Sequence, residues 1–284
     1  MTTYYVFGDT GGHYNQLYAG LMQAGVNPTT YKIPDDVVII HEGDLIHKGP
    51  DSLEILQLVD VIMRANPGQW IQLLGNHEFQ YFNGSPFFWG DVIPGEGQAI
   101  LRDWALDGLV RVAFAIEAPA TIHGVDVPAT AVNKPILFTH SGVTRGFWEM
   151  YLKEAEDIYS TVELINNLPV KVVTRPGQML DGGAKRNPLL PVGPTWALST
   201  FEVFGSWRDQ TTVPFIQVHG HTNAYNFFTN KWWDAFGVFK EQSVLDKKNR
   251  RVVTKVADSI QIAVDPGYEK TAPNHTQPSL KITT

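Results

Sequence analysis

Five short polar clusters, each at the end of an apolar run, carry side chains that can ligate a divalent metal. They are Gly8-Asp9, Gly43-Asp44, Gly75-Asn76-His77-Glu78, His140-Ser141-Gly142 and His219-Gly220-His221-Thr222. Carboxylate, amide and imidazole donors of this kind suit hard to borderline divalent cations without singling out one of them. The chain has no cysteine, so a metal would be held by His, Asp, Asn and water. Ligands this far apart in sequence share one pocket when loops at the carboxyl ends of parallel strands converge. The order and the residue types together are the signal.

The elements that would position them alternate strand and helix. Tyr4 to Phe7 is a short aromatic and β-branched run closed by Gly8, and His13 to Ala24 carries Leu17, Leu21 and Ala24 at helical spacing. Asp36 to His41 repeats the pattern and leads into a helix from Asp51 through Met63, with Leu53, Leu56, Val59 and Ile62 inward. Trp70 to Leu74 is a third such strand. Continuous apolar runs flanked by helices predict strands covered on both faces, as in a largely parallel sheet.

Gln80 to Gly97 is rich in Phe, Trp, Gly and Pro and reads as a loop that walls the pocket. Ala99 to Leu106 reads as a helix, Leu109 to Ile116 as one strand, Pro135 to Thr139 as the strand delivering His140, and Phe147 to Leu168 as helical. An irregular insertion is expected over about 171–214, where Gly and Pro recur. Phe215 to Val218 and Val252 to Val264 resume the sheet. The expected organisation is a single domain over 1–270 followed by a loosely held tail, 271–284.

Composition excludes some classes. With 284 residues, 43% hydrophobic and 18% charged, the chain can bury a large core. Its 22 basic and 29 acidic residues give a net charge of -7, which argues against an extended nucleic-acid partner. Met1 to Phe7 is too short for a secretory apolar region, and no apolar run approaches the roughly 18 residues of a membrane span. No membrane partner and a cytosolic (cytoplasmic) location are therefore expected.

The sequence Gly8-Asp9, then Gly-Asp-Leu-Ile-His-Lys-Gly-Pro-Asp-Ser at Gly43 to Ser52, then Gly-Asn-His-Glu, Thr-His-Ser-Gly and Gly-His-Thr resembles the calcineurin-like metallophosphoesterase superfamily. It is most similar to the branch of protein phosphatases and dinucleoside tetraphosphatases, and Val264-Asp265-Pro266-Gly267 is similar to that branch's closing strand and turn. The resemblance implies an α/β fold of two stacked mixed sheets flanked by helices, a four-layer sandwich, with a two-metal site at the strand ends. By the same resemblance Asp44 bridges both metals, Asp9 ligates the first, and Asn76, His140 and His221 ligate the second. His77 matches the histidine that protonates the leaving oxygen, a task suited to imidazole. Arg145 resembles a phosphate-contacting arginine.

Two positions depart from the pattern. Gly11 stands where the family places a ligand histidine, and Asn223 where other branches place another. The centre is therefore expected to hold one or two ions, with His13 or His47 as replacement ligands and His219 as a second choice beside His221. At position 47 the family has an aspartate that holds the catalytic histidine, so His47 would orient His77 or touch metal. Lys48 replaces an arginine and would contact phosphate as a point charge, without the bidentate fork.

Other residues have plainer readings. Glu78 reads as a capping acid, His41 as a buried structural histidine, and His123 and His275 as loop or tail residues. Trp89, Trp148, Trp196 and Trp207 could stack on a base, although large aromatics more often anchor cores. The expectation is hydrolysis of phosphate esters with manganese, leaving iron, zinc, nickel and magnesium open. A small nucleotide phosphodiester ranks first as substrate, ahead of phosphoprotein and dinucleoside polyphosphate. The alternatives are a degenerate member of the fold that binds a nucleotide or protein without turnover, and a scaffold unrelated to metal.

Overall fold

The computed structural model describes residues 1–82, 90–177, 190–233, 237–274 and 276–284. Strand β1 (Thr3–Phe7) runs into helix α1 (Tyr14–Gln23), β2 (Val37–His41) into α2 (Ser52–Ala65), and β3 (Trp70–Leu73) into α3 (Asn76–Phe82) and α4 (Gly95–Leu106). Then come β4 (Val110–Arg111), β5 (Ala113–Ile116), β6 (Thr121–Ile122) and β7 (Ile136–Thr139), followed by α5 (Arg145–Tyr151), α6 (Ile158–Asn167) and α7 (Val170–Val173). A π-helical turn, Ser199–Phe204, continues directly into α8 (Gly205–Trp207). The remaining elements are β8 (Ile216–His219), β9 (Tyr225–Asn226), β10 (Lys231–Trp232), α9 (Val238–Glu241), β11 (Ser243–Asp246), β12 (Arg251–Val256), β13 (Ser259–Ala263) and β14 (Ser279–Thr283).

Two six-stranded sheets result, in the orders β4-β3-β2-β1-β14-β6 and β11-β12-β13-β8-β7-β5, beside a two-stranded ribbon of β9 and β10. Strands β1 to β4 are parallel, and so are β7, β8 and β13, while the edges add antiparallel strands. Side chains alternate faces along a strand. Val6, Ile40, Leu73, Phe138, Val218 and Ile262 accordingly point between the sheets and form one buried cluster. Phe7 and Ile39 point outward against Leu17 and Leu21 of α1 and Leu56 and Val59 of α2. On the far side Leu137 packs with Phe147, Ile165, Val203 and Trp207. The arrangement is the expected sandwich of two mixed sheets with helices on both outer faces.

Three local expectations are corrected. Leu109 to Ile116 is not one strand: β4 belongs to the first sheet and β5 to the second. The chain crosses over at Val112, where the Asn166 side-chain oxygen accepts from the backbone N–H of Val112 (2.8 Å) and Ala113 (3.0 Å). The helical stretch from Phe147 to Leu168 is likewise two helices. Asp157 starts the second with a capping box, accepting from Ser160 N at 2.7 Å while Ser160 Oγ accepts from Asp157 N at 2.9 Å.

The tail is also not loose. Strand β14 lies inside the first sheet, antiparallel to β1 on one side and to β6 on the other. Leu280 and Ile282 are buried between the sheets, and the intervening Lys281 lays its ammonium over the Tyr5 ring. Leu280 is 1% exposed, so Leu280→Ala should cost about 2–5 kcal/mol, as large-to-small core changes do. Urea unfolding would measure it, and a loss below about 1 kcal/mol would mean the tail is dispensable. The expected insertion over 171–214 carries α7, the π turn and α8, and its residues 178–189 lie outside the described residues, as do residues 83–89 with Trp89, and His275.

Candidate metal centre

The carboxyl ends of six strands meet at one place. From the first sheet, β1 leads to Asp9, β2 to Glu42 and Asp44, and β3 to Asn76 and His77 at the start of α3. From the second, β7 leads to His140, β8 to His221 and β13 to Asp265. Bonds between the loops hold them in register. Thr10 N and Gly11 N donate to Asp44 O, and Gly220 N donates to His140 O. The two sheets are joined directly by His221 N donating to Asp9 Oδ1 at 2.8 Å.

Backbone strain is concentrated in the same loops. Asp44, His47, Lys48 and His221 have φ of +55°, +69°, +61° and +60°, a region costly for residues other than glycine. Such strain persists where the surroundings over-determine it, commonly at functional sites. Here the determinant for Asp44 is visible. Glu78, expected as a capping acid, instead accepts from Asp44 N at 2.9 Å and Leu45 N at 2.8 Å, clamping the loop from below. Burial, and then Asp44, raise the Glu78 pKa to about 7.

Close packing leaves no room for a side chain at Gly75. A Cβ there would collide with the Asp44 carboxylate and amide and the Glu78 carboxylate. Gly75→Ala should therefore displace Asp44 and destabilise the fold by about 1–3 kcal/mol, the usual cost of overpacking. A thermal melt together with a metal titration would show both effects. Unchanged melting and affinity would contradict the tight fit.

One ligand atom from each of Asp44, His140 and His221 lies within 4.8 Å of the others, a group that can hold a metal ion. The hydrogen bonds say which atoms face it. His140 Nδ1 lies 2.6 Å from the Glu42 carbonyl, which can only accept, so Nδ1 carries the ring proton. His140 Nε2 then faces Asn76 Oδ1 at 3.0 Å and Asp44 Oδ1 at 3.5 Å. Two oxygens facing that nitrogen suit a second ring proton or a cation among them. Burial works against charge on His140, but Asp44 outweighs it and lifts the ring to about 10. Burial opposes charge on Asp44 too, yet His140, His77 and His221 hold its carboxyl well below the usual range. The donor set thus fits a divalent cation.

His77 stands beside this group. Its Nε2 is 3.8 Å from Asp44 Oδ2, and its Nδ1 is 2.7 Å from His47 Nδ1. His47 Nε2 in turn lies 2.8 Å from the Tyr81 hydroxyl, which also accepts from Ile93 N at 3.2 Å. A chain of imidazole, imidazole and phenol therefore occupies the position where the family has a carboxylate behind the histidine. Burial, followed by His77, lowers the His47 pKa to about 3, and burial also lowers that of His77.

The other candidates are placed as follows. His13 lies at the start of α1, with Nε2 on the Glu269 carbonyl at 2.7 Å and its ring edge against Tyr268. His219 is buried behind the site, with Nδ1 on the Gly220 carbonyl at 3.0 Å and a pKa lowered to about 4 by burial. Neither joins the ligand group of Asp44, His140 and His221. Arg145 opens α5 and pairs with Glu149 at 3.3 Å. Lys48 lines a cleft of about 290 Å³ with His47, Pro50, Leu53 and the segment from Asp91 to Pro94. Trp196 sets its ring edge on His221, with centroids 6.0 Å apart, whereas Trp148 and Trp207 pack on Phe215 as core anchors.

Glu42 and Tyr81 gave no signal in the sequence, and Asp265 was marked only as part of the closing turn. Glu42 is buried, and neither carboxylate oxygen has a hydrogen-bond partner among the described residues, as is also true of Asp9 Oδ2. Burial pushes both carboxyls up, assisted at Asp9 by Asp265 and Asp44. Asp265 is buried and accepts from Gly267 N at 2.7 Å. Tyr81 is recognisable only once α3 places it over His47.

A family model for calcineurin-like phosphoesterases matches residues 2–252, and the chain belongs to that family, whose chemistry is metal-dependent hydrolysis of phosphate esters. No curated protein matches the chain in sequence. Among solved structures it is similar to a protein provisionally assigned as a diadenosine tetraphosphatase, at 15% identity and a TM-score of 0.41, covering 93% of this chain and 83% of that one. It is similar also to a cold-active protein-tyrosine phosphatase of a psychrophilic Shewanella, at 14% identity and a TM-score of 0.44, over 92% and 80% of the two chains. A third is a serine/threonine phosphatase of Saccharomyces cerevisiae with similarity to human phosphatase PP5, at 13% identity and a TM-score of 0.41, over 97% and 70%. No helix among the described residues is long and apolar enough to cross a membrane.

Proposed function

We propose that this protein hydrolyses small phosphate esters, nucleotide phosphodiesters first, using a divalent cation held by Asp44, Asn76, His140 and His221, with Asp9 beside it. The observation that carries the reading is the convergence of Asp44, His140 and His221 on one point with His77 Nε2 3.8 Å from the same carboxylate. When bound, the cation, with manganese first choice, supplies an acidified water as nucleophile and positive charge for the phosphoryl group. Asp44 would hold the cation, and its Oδ1 fixes the backbone of His77 by accepting from His77 N at 3.0 Å. His77 acts as the imidazolium, donating Nδ1–H to His47 Nδ1 and delivering its Nε2 proton to the leaving oxygen, which leaves a neutral ring, while Tyr81 fixes His47. Lys48, and Arg145 once released from Glu149, neutralise charge on the non-bridging oxygens. Asn76 contributes an oxygen without adding negative charge that would repel phosphate.

Trp196 beside His221 supports a substrate with an aromatic base. The test compares a cyclic nucleotide, a dinucleoside polyphosphate and a phosphopeptide with manganese present. The expected order of kcat/KM puts the cyclic nucleotide at least about tenfold above the peptide, a difference of about 1.4 kcal/mol in transition-state binding. A peptide turned over faster would make the protein a phosphoprotein phosphatase. No turnover of any ester with metal bound would make it a binding protein.

A further inference from the structure

A second cation beside Asp9 would need ligands that this chain has given up. Gly11 offers no side chain at the position where the resemblance places an imidazole. The space beside it is not vacant either: a Cβ on Gly11 would lie 3.4 Å from Cδ and 3.8 Å from Cβ of Lys48, so the lysine stem runs along that wall. Each histidine that could substitute is engaged elsewhere. His13 is held by the Glu269 carbonyl, His47 lies between His77 and Tyr81, and His219 lies on the Gly220 carbonyl. The Asn223 amide is turned toward the backbone carbonyls of Ala263 and Asp265, at 3.4 Å and 3.3 Å.

The acids on that side nevertheless need a positive neighbour. Asp9, Asp44 and Asp265 are all buried at the strand ends, and Lys48, with its stem along Gly11, is a cation whose charge acts on all three. Burial weakens the Lys48 charge, but Asp265, Asp9 and Asp44 more than offset it and hold the ammonium above the ordinary lysine range.

We propose that this centre binds a single divalent cation, at Asp44, Asn76, His140 and His221, and that Lys48 supplies beside Asp9 the positive charge that a second cation would otherwise bring. The inference rests on the metal-dependent reading above and narrows it. A lysine ammonium is a compact point charge that needs no ligand set, which suits a site that has lost one imidazole. It also combines two tasks in one residue, balancing the buried acids and meeting a phosphoryl oxygen.

The test is a manganese titration of the full chain, with bound metal counted after removal of free ion and electron paramagnetic resonance recorded on the same samples. The expected result is one ion per chain at saturation, with the hyperfine pattern of an isolated manganese. Two ions per chain with an exchange-coupled spectrum would overturn the inference, placing Asp9 Oδ2 as a ligand, while leaving metal-dependent hydrolysis intact. No bound ion would overturn both. Lys48→Met, which keeps the stem and removes the charge, should lower kcat by about 10²–10³-fold, as expected for loss of a group that stabilises transition-state charge. Lys48→Arg should restore most of it. A Lys48→Met enzyme with wild-type kcat and wild-type metal count would also overturn the inference.

Discussion

Replacing His77 by alanine should lower kcat on an alkyl phosphate ester by about 10²–10⁴-fold, the usual contribution of a positioned general acid. On a nitrophenyl ester of the same charge the loss should be far smaller, because nitrophenolate departs without needing a proton. The contrast follows from the ring's placement. His77 Nδ1 is held at 2.7 Å by His47, which leaves Nε2, 3.8 Å from Asp44 Oδ2, as the nitrogen that points into the centre. Equal losses on the two esters would mean that His77 orients the phosphate rather than protonating the leaving group. Tyr81→Phe should give a weaker version of the same signature, since it leaves His77 in place and removes the hydroxyl that meets His47 at 2.8 Å and Ile93 N at 3.2 Å.

Asp44→Asn should abolish activity and weaken manganese binding by at least about 100-fold, beyond what loss of an outer-shell partner costs. The amide has the same shape as the carboxylate but lacks the charge that pulls His140 and the cation together. Wild-type protein at a metal concentration 100 times its Kd gains about 2.7 kcal/mol, so stripping the metal should lower Tm by roughly 5–10 °C for a domain of this size. The variant should melt near metal-free wild type and show no upward shift when manganese is added. A full manganese shift in Asp44→Asn would move the metal elsewhere, and collapse of its metal-free fold would make Asp44 mainly structural.

The parts of the fold legible in the sequence were those with strong local patterns. The apolar runs of β1, β2 and β3 are covered on both faces, and each ends in glycine followed by a carboxylate or amide, so strand and ligand could be read together. The misread parts depended on distant partners. Ser-Leu-Lys-Ile-Thr at 279–283 alternates as a half-buried strand does, yet only pairing with β1 separates it from the polar, proline-containing stretch before it. Nothing near Val112 announces the switch between sheets, because the group that permits it is Asn166, more than fifty residues later.

The candidate site divides along the same line. Asp44, His140 and His221 stand in motifs whose residue types already point to metal, and the structure brings those three together. Glu42 and Glu78 look like ordinary acids in sequence. Their meaning lies in burial and in the loops they touch. His13 and His219 were plausible ligands by proximity in the chain, but each ring is directed to a backbone carbonyl instead.

The most direct test of a metal-dependent phosphoesterase centred on Asp44 is hydrolysis of a nitrophenyl phosphodiester and monoester by protein stripped of metal and then reloaded with measured manganese. Activity should be absent from the stripped protein and should rise in proportion to metal bound, with Asp44→Asn silent throughout. Hydrolysis that persists in the stripped protein, or fully loaded wild type that cleaves neither ester, would contradict it.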